Sequence, residues 1–217
     1  MRWATDRQPC ALTHRLTGNS ADAYAWAERR RRCLERACLI AIRHDDPHCP
    51  AITIAKELVD MRPKIILVMR HAEKPNDPGN PHLSTEGYAR AQRLAEFVPD
   101  RFGAPDYIFA AAVTEHSARS SETVAPLAQS LGKEVLTPYQ DAWFAALTAE
   151  VLTEEQYTNT MVLICWHHDH LPGIALALGA KSGEYPDPWD PEVFNRVLCF
   201  RFSAESGLEV SQVLEEF

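Results

Sequence analysis

Strand-like and helix-like segments alternate from residue 61 onward, and this alternation constrains the fold more than any other feature of the sequence. Short apolar runs, typical of buried strands, are separated by segments with the apolar spacing of one helix face. Strand followed by helix in repeated order predicts an α/β domain with a mainly parallel sheet between layers of helices. The predicted strands are Lys64–Met69, Tyr107–Ala112, Thr160–Trp166, Val197–Ser203 and Leu208–Val213.

Four helices are predicted between these strands. A serine before a helical pattern caps the helix and a glycine after it ends the helix, and Ser84, Gly132 and Gly179 stand at such positions. The predicted buried stripes are Ala91, Leu94, Ala95 and Val98 in the first helix and Val124, Leu127, Ala128 and Leu131 in the second. Two further helices are predicted over residues 143–152 and 172–178.

Residues 1–60 differ in composition from residues 61–217. Their positive charge is nearly all arginine, they lack strand-like runs, and their one helical pattern is 21–42. We interpret residues 1–60 as an N-terminal extension, either poorly packed or produced by a start codon assigned too early, because Met61 opens the α/β pattern. Residues 61–217 are then the functional domain.

Composition excludes several classes of partner. The net charge is −8 and the acidic excess lies in residues 61–217, which argues against nucleic acid as a partner. No apolar run is long enough to span a bilayer, and the N-terminus lacks the apolar core of a secretory signal. The six cysteines form no CxxC pair, which favours reduced thiols in the cytoplasm, with Cys165 and Cys199 buried in strands. Nothing in the sequence indicates an oligomeric state.

Basic side chains follow three of the predicted elements where the carboxyl ends of parallel strands meet. Arg70 and His71 end the first strand, Arg119 begins a helix after the second, and "HHDH" (167–170) follows the strand 160–166. Positive charge gathered in this way needs an anion, and a guanidinium matches a phosphoryl group. A neutral imidazole can attack phosphorus, and two arginines with a second histidine can stabilise the transferring group without a metal.

Four stretches together resemble the histidine phosphatase superfamily, also called phosphoglycerate mutase-like. They are "VMRHAEK", "LSTEGYARAQRLAEF", "HSARSSETVAPLA" and "VLICWHHDHLPGIALALG", and the resemblance covers about residues 63–214. It implies a three-layer α/β/α sandwich with a mainly parallel central sheet and a phosphate site at the sheet edge. By position, His71 matches the phosphorylated nucleophile, and Arg70 and Arg119 match the two phosphate-binding arginines.

The second pocket histidine and the proton donor are left as alternatives. The spacing to "LPGIALALG" favours His168 as the second histidine, with His167 as the alternative. The dipeptide His168-Asp169 resembles the acid-phosphatase branch, which makes Asp169 the preferred proton donor. Asp141 and Glu115 are the other candidates, since some members of the family carry the acid in that part of the chain.

The resemblance therefore implies a metal-independent, cofactor-free phosphatase acting through a phosphohistidine on His71. Its substrate is expected to be a phosphorylated small molecule or a phosphoprotein, with a phosphate monoester or a phosphohistidine as the reacting group. The chain has Ala72 where the family usually has glycine, and "KPNDPGNPH" replaces the continuation found in mutases, which favours hydrolysis.

Two alternatives come from other classes. One is a catalytically silent module that binds a phosphate or a phosphoprotein. The other is a metal-dependent hydrolase using residues 167–170, although adjacent residues on an extended chain point to opposite faces.

Overall fold

The computed structural model describes residues 62–217, which form six strands and four α-helices. In chain order these elements are β1 (Ile65–Arg70), α1 (Thr85–Phe102), β2 (Tyr107–Ala110), α2 (Arg119–Leu131), β3 (Val135–Leu136), α3 (Phe144–Thr153), β4 (Met161–Trp166), α4 (Leu171–Ala177), β5 (Arg196–Ser203) and β6 (Gly207–Leu214). Short 3₁₀ turns over Asp141–Trp143 and Glu155–Tyr157 flank α3. The predicted extension 1–60 and its helix 21–42 lie outside the described residues.

The strands form one mixed sheet in the order β3-β2-β4-β1-β5-β6. The pairs β2–β3, β2–β4 and β1–β4 are parallel, whereas β5 runs antiparallel to both of its neighbours. The predicted α/β class with a mainly parallel sheet is confirmed, and all five predicted strands are present. The short edge strand β3 was not predicted.

Helices cover both faces of the sheet. On one face, β1 contributes Leu67 to a cluster that includes Leu94 of α1 and Leu127 of α2. On the other face, Val68 joins a cluster that includes Leu147 of α3 and Ile174 of α4. Every residue of β1 and β4 is buried, because these two central strands pack against helices on both sides. The predicted three-layer sandwich is therefore the observed architecture.

The start of α1 lies directly against the loop that follows β1. Ser84 caps the helix by accepting a hydrogen bond from Gly87 N at 3.1 Å, and its own N–H donates to Glu73 O at 2.9 Å. A Cβ at Gly87 would lie 2.3 Å from that same carbonyl oxygen. Position 87 thus requires glycine because of the close approach, which gives a physical reason for the Leu-Ser-Thr-x-Gly pattern.

Two further expectations bear on these residues. Cys165 of β4 and Cys199 of β5 are free buried thiols in the same core cluster, and their burial in strands is as predicted. Within residues 62–217, no helix is both long enough and apolar enough to cross a bilayer.

Candidate active site

Neighbouring strands bring the first and last of the predicted basic segments together. β1 and β4 are parallel partners with Arg70 opposite Trp166, and the pairing continues as His71 N donates to Trp166 O at 3.0 Å. His71 and His167 are consequently adjacent where the two strands end. Their ring centroids lie 5.3 Å apart in an edge-to-face arrangement.

His71 is buried, and its tautomer is fixed by a backbone carbonyl. His71 is only 3% exposed, and its Nδ1 lies 2.7 Å from Ala72 O. A carbonyl can only accept, so Nδ1 carries the proton and Nε2 keeps its lone pair. Burial lowers the pKa of His71 to about 3, and the nearby charges of Arg70 and Arg119 act in the same direction. The ring is therefore neutral at neutral pH, as a nucleophile must be.

Arg70 is buried beside this ring and anchored on one side only. Its Nη1 donates to Pro191 O and lies 3.5 Å from Val193 O, while its guanidinium carbon lies 3.8 Å from the centre of the Phe194 ring. Within residues 62–217, its buried Nε has no hydrogen-bond partner. Burial lowers the pKa of Arg70 to about 10. A buried guanidinium N–H that has no partner within the protein can donate a hydrogen bond to an anionic oxygen.

The loop that carries the Arg70 contacts is held by Trp189. This residue is 3% exposed and packs in the core beneath the sheet, and its indole N–H donates to Val193 O at 3.0 Å. Trp189 therefore supports the loop from inside. The segment 184–194 belongs to the loop between α4 and β5.

Arg119 is the first residue of α2, and its charge is near enough to His71 to lower the pKa of that ring. Its Nη1 donates to Asn80 O at 3.0 Å, and its buried Nε has no hydrogen-bond partner among the described residues. Burial lowers the pKa of Arg119, because the charged form is penalised there. Arg119 thus resembles Arg70 in having a buried N–H group that no described residue accepts.

Thr123 ties this helix to the nucleophile loop. Its hydroxyl donates to Arg119 O at 2.7 Å and accepts from Ala72 N at 2.9 Å, and the residue is fully buried. One hydroxyl therefore fixes the loop after His71 relative to the first turn of α2. This explains the Arg-x-x-x-Thr spacing in structural terms.

His167 is held between a carboxylate and a hydroxyl. Asp141 Oδ1 lies 2.9 Å from His167 Nδ1, and Ser117 Oγ lies 3.0 Å from His167 Nε2. Asp141 is itself anchored, because Trp166 Nε1 donates to its backbone oxygen at 3.0 Å. Three loops, following β2, β3 and β4, thus meet at the ring that contacts His71.

The preferred sequence candidates occupy more open positions. His168 is half-buried in the turn after β4; burial lowers its pKa, and the charges of Arg70 and Lys74 lower it further. The Asp169 side chain is 60% exposed and lies 4.0 Å from His170. The Glu115 side chain is 85% exposed and pairs with His116 at 3.3 Å. The structure thus brings His167 next to His71 and Asp141 next to His167; both were weighed as alternatives.

The residues available to a metal are few. Ligand atoms of Asp141, Asp169 and His170 lie within 4.8 Å of one another, and Asp169 is exposed. This set shares only part of the run 167–170 that the metal-dependent alternative would use. Exposed acidic groups often approach one another without an ion, so the cluster does not by itself indicate a metal centre.

A second ionic cluster, which the sequence did not reveal, begins two residues after His71. Arg90 of α1 binds Glu73 with contacts of 2.7 and 3.0 Å and binds Glu215 at 2.6 Å. Glu215 is 4% exposed, and burial raises its pKa to about 7 although Arg90 opposes that shift. These residues are separated by 17 and 125 positions, so only the folded chain joins them.

Comparison with known proteins gives structural neighbours only. No protein-family model matches the chain, and no curated protein matches it. Among solved structures, the protein histidine phosphatase SixA bound to tungstate is similar at a TM-score of 0.47. It shares 19% identity over 69% of this chain and 96% of that chain.

Two further neighbours have similar scores. Mycobacterial glucosyl-3-phosphoglycerate phosphatase with inorganic phosphate matches at a TM-score of 0.43 and 15% identity, over 71% of this chain and 96% of that one. Plasmodium falciparum phosphoglycerate mutase matches at a TM-score of 0.44 and 14% identity, over 70% of this chain and 89% of that one. At these identities and scores the chemistry has to be argued from the residues of this chain.

Proposed function

We propose that the protein is a phosphatase of the histidine phosphatase superfamily that hydrolyses a phosphate monoester or a phosphohistidine through a phosphohistidine on His71. The observation that carries the proposal is a buried imidazole that is neutral and lies close enough to Arg70 and Arg119 for both charges to lower its pKa. Both guanidinium groups have a buried Nε without a partner among residues 62–217. An anion bound there would meet these donors in line with a free imidazole nitrogen.

Each pocket residue has a role in this reaction. His71 Nε2 attacks phosphorus while Ala72 O holds the Nδ1 proton, so the ring stays oriented through the step. Arg70 and Arg119 stabilise the charge on the phosphoryl oxygens. His167, which contacts His71, and His168, which feels the charge of Arg70, are the candidates for the second pocket histidine.

The proposed test is detection of the phosphoenzyme on the full chain. An aryl phosphate carrying labelled phosphorus, supplied with excess chelator, should leave an acid-labile, base-stable label on the wild type. His71→Ala should carry no label and show no turnover above background. His116→Ala is the matched control, because its side chain is 86% exposed, and it should label normally.

Other outcomes separate the alternatives. Turnover that persists in His71→Ala would exclude this mechanism, and turnover lost on chelation would favour the metal-dependent alternative. If inorganic phosphate raises the melting temperature while no label and no turnover appear, the protein is a phosphate-binding module instead.

A further inference from the structure

We infer that Ser117, His167 and Asp141 form a proton relay that serves the leaving group of the reaction at His71; the inference rests on the proposed function. Ser117 Oγ lies 3.0 Å from His167 Nε2 at hydrogen-bond distance, and Asp141 Oδ1 lies 2.9 Å from His167 Nδ1 at ion-pair distance. Among residues 62–217 this buried carboxylate oxygen has no hydrogen-bond partner, so its contact with the His167 ring is electrostatic. Ser117 is buried and His167 is largely so. The same order of hydroxyl, imidazole and carboxylate moves protons in hydrolases with unrelated folds.

The relay lies beside the reacting atoms. The His167 ring contacts the His71 ring edge to face, so a single imidazole separates Ser117 from the nucleophile. A general acid must lie within hydrogen-bond reach of the oxygen that it protonates. The exposed candidates Asp169 and Glu115 form contacts with His170 and His116 respectively, rather than with the ring beside His71.

Ser117 is held so that its hydroxyl remains available. Its backbone N–H donates to Thr114 O at 3.3 Å and its backbone oxygen accepts from Thr114 N at 3.0 Å. These bonds fix the residue by its main chain. Among the described residues, the hydrogen-bond partner of this hydroxyl is His167. A hydroxyl can donate one proton and accept another, so it can pass a proton onward.

In the first step, His71 Nε2 forms a bond to phosphorus and the bond from phosphorus to the leaving oxygen breaks. The leaving oxygen keeps the electron pair and takes the hydroxyl proton of Ser117, whose Oγ takes the proton from Nε2 of the protonated His167. Asp141 balances the charge that the ring carries before the transfer.

In the second step, water attacks the phosphohistidine and the bond from phosphorus to Nε2 breaks, returning its electron pair to His71. One proton of the water passes to Ser117 as the hydroxyl proton returns to His167. The products are inorganic phosphate and the alcohol or phenol, and every group regains its starting protonation.

A series of aryl phosphates with different leaving groups tests the relay. The phenol of phenyl phosphate has a pKa of about 10 and needs a proton, whereas the far more acidic 2,4-dinitrophenol leaves without one. Ser117→Ala should lose about 10²–10³-fold in kcat on phenyl phosphate and less than about threefold on 2,4-dinitrophenyl phosphate. Asp141→Asn should show the same dependence on the leaving group.

The control is Ser130→Ala, which removes a hydroxyl from the last turn of α2, the helix that begins two residues after Ser117. That hydroxyl donates only to Leu127 O, so the variant should match wild type on every substrate. A merely structural role for Ser117 would lower activity equally on all substrates, and that result, or full activity in both relay variants, would overturn the relay. Labelling of His71 in those variants would leave the proposed function standing. Absence of labelling in the wild type would contradict both the proposed function and the relay.

Discussion

Two arginine clusters include residues of the short segment 70–74, Arg70 in one and Glu73 in the other, and they differ in how their charge is balanced. In one cluster, Arg90 is paired with two carboxylates, those of Glu73 and Glu215. In the other cluster, Arg70 and Arg119 have no carboxylate within ion-pair distance among residues 62–217, and each has a buried Nε without a partner. The charges of the first cluster are paired within the protein. We propose that the second takes its counter-charge from a bound anion.

Replacing Arg119 should break the pocket without harming the fold. Arg119→Met keeps the stem but removes the guanidinium, so kcat/KM for an aryl phosphate should fall about 10³-fold. The free energy of unfolding should stay nearly equal, because the half-buried charge that is removed forms no ion pair among residues 62–217 and loses only the bond to Asn80 O. Kinetics and denaturant unfolding measure the two effects. Arg93→Met, at an exposed position of α1, is the control, and a large loss of stability at position 119 would contradict the contrast.

Replacing Arg90 should have the opposite signature. Arg90→Met leaves two carboxylates without a partner, so the free energy of unfolding should fall by about 3–5 kcal/mol. The kcat of the folded fraction should remain within about threefold of wild type, because Arg90 contacts no pocket side chain that we assign to the reaction. Denaturant unfolding with parallel assays on the folded protein measures this. A selective loss of kcat with normal stability would show that the two clusters are not separate.

Glu215 should make the second cluster sensitive to pH. Burial raises its pKa from 4.5 to about 7, so between those values the folded protein holds a proton that the unfolded chain releases. This contribution to stability is present below pH 4.5 and is lost as the pH rises through about 7. Glu215→Gln cannot ionise at this position, so it does not lose stability as the pH rises. Its unfolding free energy relative to wild type should therefore rise by about 3 kcal/mol from pH 4.5 to pH 8.

The control for that measurement is Glu216→Gln, at an exposed neighbouring position. Its stability relative to wild type should not change across the same pH range. A difference at position 215 that stays flat, or that falls as the pH rises, would contradict the assigned cause.

The two candidate histidines give the smallest expected effect, and it concerns the pocket cluster alone. His167→Asn should lower kcat about 10²-fold, because His167 contacts both His71 and Ser117. His168→Asn should lower it by less than about tenfold, since His168 sits in the open turn. Parallel kinetics of the two variants decide between them. The reverse order would favour the assignment of His168 that the sequence spacing suggests.

The sequence predicted the elements that have a strong local signal. β1 and β4 carry uninterrupted apolar runs, and α1 and α2 carry regular stripes, so their positions follow from pattern alone. The two-residue strand β3 was missed because half-buried residues over so short a length have no period. The position of Arg70 and His71 at a strand end was predictable, since the apolar run of the strand ends where these polar residues begin.

Contacts between distant segments were not predictable. Ser117 and His167 are 50 positions apart, and the carboxylate that meets His167 comes from a third loop. Glu73 and Arg90 were visible as charges, but their partner Glu215 comes from the segment after the last strand. Such contacts depend on loop geometry, which residue pattern does not encode. Thr123 was visible as a spacing, and the structure supplies its reason.

The shared hydroxyl of Thr123 has a consequence for how rigid the pocket is before any ligand arrives. Because one oxygen bonds both the residue after His71 and the carbonyl of Arg119, the strand loop and the helix start are held as one rigid unit. The main chains that carry the imidazole of His71 and the guanidinium of Arg119 are then held together by two short bonds. An oxyanion that fits this arrangement is bound without the entropy loss of ordering the two segments, which favours ligands of one size over larger or smaller ones.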